Sequence, residues 1–387
     1  MTKQIIMNIA ILLLNKGRGS GEVAREHVRH LIKLGHKVYF LYPGNEDEID
    51  GAINVDIKLH TQIIPVHEYL PSAGKEQSQV ARMSHEEMIE YLPDYERALS
   101  SIADDVDIFI GHHANLSAVA VHSVATEFGK PYVLFLHGTG IEPRHEGLWD
   151  EDNWRMIVKA IVEAKGIIVT TEYVRDSLIK PLINLPDDRF LILPCGVNLV
   201  DFKPGNIGDI FEKYELPETY VICPGALTKS KGPQNVVEAS TEYAELASTV
   251  FIGAGELQKE LEEKLGDNGT FLGFVSSEDK AKLIVAATLL IAAPEKNEHF
   301  GIIYAEALAG GTPCVAYEGG GVGSIVTSTE GILTDRNPKE LGKKVNYLLQ
   351  NSGLRKQMAV SCRDRAEKLY DYNNLVKELV DWLKMVC

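Results

Sequence analysis

Cysteine is scarce in this chain of 387 residues: five occur, at 195, 223, 314, 362 and 387. No two form a CxxC pair, no metal-binding spacing appears, and the odd number leaves at least one thiol unpaired, so the simple reading is a reducing, cytoplasmic compartment. An excess of positive charge is lacking too. The formal net charge is −16, which disfavours long-range attraction to nucleic acid or to an anionic membrane surface and requires any phosphate to be held by local groups. No run reaches the roughly 18 apolar residues of a membrane span. The opening MTKQIIMNIAILLL resembles a secretory leader, but it feeds directly into a Gly-rich turn and is read as a buried strand. Low-complexity tracts and short repeats are absent.

What is present is the balance of an ordinary globular protein, 45% hydrophobic and 24% charged, in a chain long enough for two domains. Apolar strand-like runs at 7–14, 37–42, 106–111, 131–136, 166–171 and 189–193 alternate with stretches of helical spacing. After the Pro- and Gly-punctuated stretch 194–209 the pattern restarts, with runs at 219–225, 248–253, 270–273, 288–293 and 313–317, and the segment from Pro338 onward has the spacing of two or three helices. The class is therefore α/β, with two doubly wound parallel sheets of Rossmann type, domains at 1–200 and 201–370, and ligands expected in a cleft outside the carboxyl ends of the strands.

Glycines 17, 19 and 21 in NKGRGSGE lie between a strand and an amphipathic helix. Their bare backbone and the helix start suit an anion, although the same glycines serve a tight turn. The next strand ends KVYFLYPGN without the acid that would take a ribose hydroxyl, which disfavours a nicotinamide cofactor. Arg25, Arg29, Lys33 and Lys37 recur at four-residue steps beside His27 and His30 and share one helix side. That stripe is either a solvated face or a contact for a phosphate-bearing acceptor or a lipid surface. His112, His113 and His137 stand at strand ends, His137 as a functional candidate and the first two as loop or acceptor-side residues. No local cluster has metal-ligand spacing, so no metal is expected.

In the second half, Lys229 and Lys231 fall between a strand end and a helix, where an ammonium can sit against a diphosphate. The most informative stretch is EHFGIIYAE (298–306). Gly301 lets backbone approach a ligand closely, and the amides of Ile302 and Ile303 at a helix start suit a diphosphate. Glu298 precedes the turn and Glu306 lies further into the helix. A pair straddling such a turn suggests hydrogen bonds to two separate polyol parts of one ligand.

These motifs resemble those of the retaining nucleotide-sugar glycosyltransferases of family 4, which have the GT-B fold. The resemblance runs over nearly the whole chain: the first glycine loop with GHKV (35–38), HH (112–113), LHG (136–138), PCGVNLVDFKP (194–204), the Gly225 to Lys231-Gly232 spacing, GAG (253–255), FLGFV (271–275) and EHFGIIYAEALAGGTPCVA (298–316). It implies hexosyl transfer from a nucleoside-diphosphate sugar to the hydroxyl of a carbohydrate, lipid-linked or small polyol acceptor, with retained configuration and neither metal nor cofactor. It further implies that Glu298 binds the transferred sugar and Glu306 the ribose. Backbone from Phe300 through Gly301 and Ile302 to Ile303 would hold sugar and diphosphate, Lys231 would neutralise the leaving phosphates, and the loop near Val275 would meet the base. Gly19 and Gly21 would approach the diphosphate, His137 would lie beside the sugar, and the helix at about 371–387 would cross back onto the first domain. Acceptor choice would rest on the first domain, above all on 60–93. The family's usual Arg after the first glycine of the phosphate loop is Ala226 here, and its usual linker Asp is Asn198. A non-catalytic binding homologue, an NAD-dependent oxidoreductase and a nucleotide-sugar epimerase are the alternatives.

Overall fold

The structure, a computed structural model, describes residues 6–17, 19–44, 47–68 and 76–386. Arg18, Cys387, the first five residues of the opening stretch and 69–75 of the stretch 60–93 lie outside the described residues. The chain divides into two compact units, one of residues 1–194 and 372–387, the other of 195–371. The sequence reading places the first boundary at 200.

Unit 1 contains strands β1 (Asn8–Leu12), β2 (Lys37–Tyr42), β3 (Ile53–Asp56), β4 (Ile64–Val66), β5 (Gln77–Gln79), β6 (Ile108–His112), β7 (Tyr132–Leu136), β8 (Gly166–Val169) and β9 (Phe190–Ile192). Seven of them form one parallel sheet in the order β3-β2-β1-β6-β7-β8-β9, while β4 and β5 pair separately. The centre strands IFIGH and YVLFL are buried at every residue, as expected of a parallel sheet covered on both faces. Helix Leu116–Glu127 is mostly buried, and Asn115 caps it by accepting from the Ser117 amide at 2.8 Å. The last helix, Tyr372–Val386, belongs to this unit. Its Tyr372 ring stacks on His30 at 5.4 Å, and Trp382 packs where a Cβ on Gly166 would stand.

Unit 2 contains β10 (Tyr220–Pro224), β11 (Ser248–Ile252), β12 (Gly269–Phe271), β13 (Leu289–Ala292), β14 (Cys314–Tyr317) and β15 (Gly331–Thr334), all parallel in the order β12-β11-β10-β13-β14-β15. In both sheets the strand order reverses beside the first strand of the unit, between β1 and β6 and between β10 and β13. Loops leaving opposite sides of such a point open a crevice at the carboxyl ends, where open α/β sheets bind ligands. Helix Ile302–Gly310, built from IIYAEALAG, is the buried helix of this unit. Its small residues let it pack closely on its surroundings.

Strands β3, β4, β5 and β15 have no counterpart in the sequence reading. Each is three or four residues long, and β3 and β5 contain no fully buried position, so the apolar run that marks a central strand is missing. The four described cysteines are buried and unpaired, and burial pushes the Cys195 and Cys223 thiols up to about 12. They behave as packing residues rather than nucleophiles.

Candidate functional site

At the switch point of unit 2, Lys231 follows β10 and Glu298 follows β13. Their side chains meet, Lys231 Nζ lying 2.8 Å from Glu298 Oε1. Backbone ties hold the two loops together: the Glu295 amide donates to Ser230 O at 3.0 Å, and Asn235 Nδ2 donates to Ala293 O at 3.1 Å and to Glu295 Oε1 at 2.8 Å. Gly232 adopts φ +69 with Ala293 O 1.8 Å from where a Cβ would stand, so only glycine permits this approach. On its far side the Glu298 loop is pinned by the Gly321 amide, which donates to Glu298 O at 2.7 Å. Arg336 completes the frame by donating to Glu295 O at 2.7 Å and to Asn297 Oδ1 at 2.5 Å.

Gly301 caps helix Ile302–Gly310 in the left-handed region, at φ +87. Ile302 and Ile303 are half-buried in the first turn, whose N–H groups have no carbonyl within the helix to bond. The Phe300 side chain points into the unit, packing edge-on against Tyr370 with centroids 5.9 Å apart, so only its backbone is available to a ligand. Glu306, one turn into the helix, is 8% exposed and has Lys280 Nζ 2.5 Å from its Oε1. Its second oxygen, Oε2, is buried without a hydrogen-bond partner. Burial pushes the Glu306 carboxyl above the usual carboxylate range, with the Lys280 ammonium opposing the rise. The two glutamates of the motif therefore occupy different surroundings, each with its own lysine.

Val275 is half-buried in the loop after β12, beside Phe274, which is exposed. Ser276 ends that loop and caps helix Ser277–Ala286, which carries Lys280. Gly225 and Ala226 follow β10, and Ala226 places no cation in this loop; Lys229, three residues on, is exposed. Asn198 closes a turn, accepting from the Val200 amide at 3.0 Å and donating to Asp201 at 2.7 Å.

In unit 1 the strand-end histidines form a stacked cluster. His112 Nδ1 lies 3.0 Å from His137 Nε2, so one of the two rings donates and the other accepts. His137 stacks on Phe135 at 4.1 Å, and His113 rests against His137 at 4.7 Å and against His67 at 4.1 Å. Burial lowers His112 to about 3 and His67 to about 4. Both rings are neutral near pH 7 and supply polar contacts rather than charge. His112 is buried too deeply, at 1% exposure, to meet a ligand directly. His113 has φ +69, and its Nε2 lies 3.0 Å from Ser20 Oγ. The glycines of the first loop differ from one another: Gly19 is exposed with open space around it, whereas Gly21 is buried with Lys16 O 2.2 Å from where its Cβ would stand.

The basic stripe expected along the first helix is only partly there: the helix ends at Lys33, and Lys37 opens β2 instead. Arg25 is buried, donating to Lys16 O and to Glu22, and Arg29 pairs with Glu22 and Glu26. His27 and His30 are buried in the same helix. The charges of the two arginines are met by neighbouring acids, while Lys33 and Lys37 are exposed. Among the described residues no helix is long and apolar enough to cross a membrane, and no group of three or more His, Cys, Asp or Glu side chains is placed to hold a metal ion.

Lys280, Arg336, Asn235 and His67 have no place in the sequence reading. Each acts on a segment tens of residues away, and no local spacing marks such a partner.

Two family descriptions match the chain, Glycosyltransferase Family 4 over residues 17–201 and Glycosyl transferases group 1 over residues 207–365. The chain is a group 1, family 4-like glycosyltransferase. Relatives include an uncharacterized glycosyltransferase of Methanocaldococcus jannaschii, 26% identical over 66% of this chain and 69% of that protein. A D-inositol 3-phosphate glycosyltransferase of Nocardioides sp. is 28% identical over 57% of this chain, and the match spans about half of that relative's length, 54%. Among solved structures, sucrose-phosphate synthase from Thermosynechococcus elongatus superposes with a TM-score of 0.77 at 18% identity, covering 98% of this chain and 99% of its own. Anabaena HepE, solved in complex with UDP-glucose, gives 0.73 at 17% identity, covering 98% and 100%. The fold of this glycosyltransferase is GT-B, and its two parallel sheets are the Rossmann-like halves of that fold.

Proposed function

We propose that this glycosyltransferase moves a hexosyl group from a nucleoside-diphosphate sugar to an acceptor hydroxyl, with retained anomeric configuration and without a metal ion or other cofactor. The observation that carries the reading is the Lys231–Glu298 pair beside the Gly301 helix start, at the switch point of unit 2. An ammonium and a helix N-terminus offer charge complementarity to a departing diphosphate, the main demand of such a transfer. Glu298, held by Lys231, is assigned to hydroxyls of the hexose, and Glu306 to the ribose. Backbone from Phe300 to Ile303 is assigned to the sugar and diphosphate, and the loop at Val275 to the base. Unit 1 is the acceptor side, with Gly19 available as bare backbone for phosphate, Gly21 supporting it, and His137 held by His112 and His113 for contact with a sugar.

In the reaction the bond from C1 to the phosphate oxygen breaks and its electron pair leaves on the diphosphate. The acceptor oxygen bonds to C1 on the same face, and the acceptor's proton passes to the departing phosphate oxygen. Positioning and leaving-group stabilisation therefore carry the rate, and no strong side-chain base is required. UDP-, GDP- and ADP-hexoses offered with sugar and polyol acceptors, in excess EDTA, are expected to release one nucleoside diphosphate, with the donor's anomeric configuration in the product by NMR. Turnover abolished by EDTA and restored by a divalent cation contradicts the metal-independent reading, and an inverted product contradicts retention. Nucleotide binding without any turnover points instead to a binding homologue, the reading that Ala226 favours.

A further inference from the structure

The carboxylate of Glu306 is used on one side only. Oε1 is bonded by Lys280 at 2.5 Å, while Oε2 is buried and lacks a partner in a residue that is 8% exposed. A buried carboxylate oxygen without a donor is costly unless a ligand supplies one. We propose that Lys280 is a positioning residue for donor binding: by engaging Oε1 it holds Glu306 ionised and oriented, leaving Oε2 to accept a ribose hydroxyl of the bound nucleotide. This rests on the donor reading given above.

Lys280 is the only charged side chain that reaches this carboxylate among the described residues packed around it. On its own helix, Asp279 is turned to Lys213 and Tyr214, and Lys282 is paired with Glu278. From helix Ser352–Leu369, Arg363 bonds Ala309 O, Phe202 O and Glu367, and Arg365 bonds Ser324 O. Helix Val322–Ile325 presents no ionisable side chain, and the ionisable groups of β14 are Cys314, whose thiol burial pushes up, and Tyr317, whose hydroxyl burial raises to about 12. Tyr304, on the same helix as Glu306, is likewise shifted to stay neutral.

The direction of the effect follows. Burial alone raises the Glu306 carboxyl and Lys280 opposes it; without the ammonium the group takes up a proton at higher pH, and a neutral carboxyl is a poorer acceptor for a hydroxyl. Loss of Lys280 therefore moves the pH dependence of nucleotide affinity upward, with binding weakening as pH falls. One linked proton changes affinity by at most about tenfold per pH unit.

The test titrates UDP, GDP and ADP into wild type, Lys280→Met, Lys280→Gln, Lys280→Arg and Glu306→Gln between pH 6 and 8.5, reading Kd by calorimetry. The ratio of variant to wild-type Kd cancels the titration of the diphosphate itself. That ratio is expected to rise as the pH is lowered from 8.5 to 6 for Lys280→Met and Lys280→Gln, by at most about tenfold per pH unit, to stay flat for Lys280→Arg, and to be raised but flat for Glu306→Gln. If Glu306→Gln weakens binding while the lysine variants show a flat ratio, the inference fails and the donor reading stands. If Glu306→Gln leaves affinity unchanged, or no nucleotide binds wild type, the donor reading itself fails and takes the inference with it.

Discussion

Lys231→Met is expected to lower kcat by about 10²- to 10³-fold, the usual cost of removing one preorganised group that stabilises developing charge. In the structure Lys231 Nζ sits 2.8 Å from Glu298, in the loop after β10, where the position after Gly225 is Ala226 and brings no second cation. The ammonium is thus the charge best placed to meet a departing diphosphate, and Lys229, exposed two residues earlier, has no comparable anchor. Lysine acts here as a compact point charge, so Lys231→Arg should recover part of the rate. The loss should fall on kcat and kcat/KM together, because the negative charge on the leaving group grows in the transition state. Steady-state kinetics with a fixed donor would check this. A change confined to KM would mean that Lys231 binds donor and transition state alike.

Acidification is expected to unfold unit 1 well before unit 2. Eleven of the chain's twelve histidines lie before residue 195, and burial depresses His27 and His112 to about 3 and His67 to about 4. A histidine whose folded pKa is depressed leaves the unfolded chain binding more protons below 6.5, so its contribution is intact above that pH and is lost as pH falls toward 3 to 4. At pH 5 each such ring should cost about 2 kcal/mol relative to neutral pH. The three together would remove a large part of a typical domain's stability. Calorimetry at pH 7.5 and pH 5 should show one transition moving strongly and the other little. His27 stacks on Phe135 with its Nε2 buried and unpartnered, so His27→Phe should flatten the dependence by about one ring's share. Equal displacement of both transitions would contradict this origin.

The sequence carried the α/β class and the strand runs from β6 to β8 and from β10 to β14 because a parallel sheet covered on both faces must present continuous apolar segments. It also showed the stretch 298–306 as a turn between strand and helix, since Gly301 and the small residues after it leave few other readings. Partners that lie far apart in sequence were not legible. Lys280 and Glu306 are separated by 26 positions, and nothing in SEDKAKL distinguishes a lysine that enters a buried carboxylate from one that faces water. Arg336, 39 positions from Asn297, reaches the Glu298 loop only because β15 and β13 flank β14 in one sheet. The four-residue steps of Arg25 and Arg29 were visible, but periodicity shows a shared side without showing that Glu22 and Glu26 neutralise it. The histidine cluster was half legible: strand ends marked His112, His113 and His137, while His67 follows β4, a three-residue strand too short to stand out.

The central claim is that unit 2 is a nucleoside-diphosphate site read by Glu306. Its most direct test is a thermal-shift series with UDP, GDP, ADP and NAD on wild type and on Glu306→Ala. A ligand at a hundredfold excess over its Kd stabilises the folded state by about 2.7 kcal/mol, a shift that is readily seen. The expected result is stabilisation of wild type by one of the three diphosphates, lost in Glu306→Ala. Stabilisation by NAD alone, or a diphosphate shift that survives intact in Glu306→Ala, would contradict it.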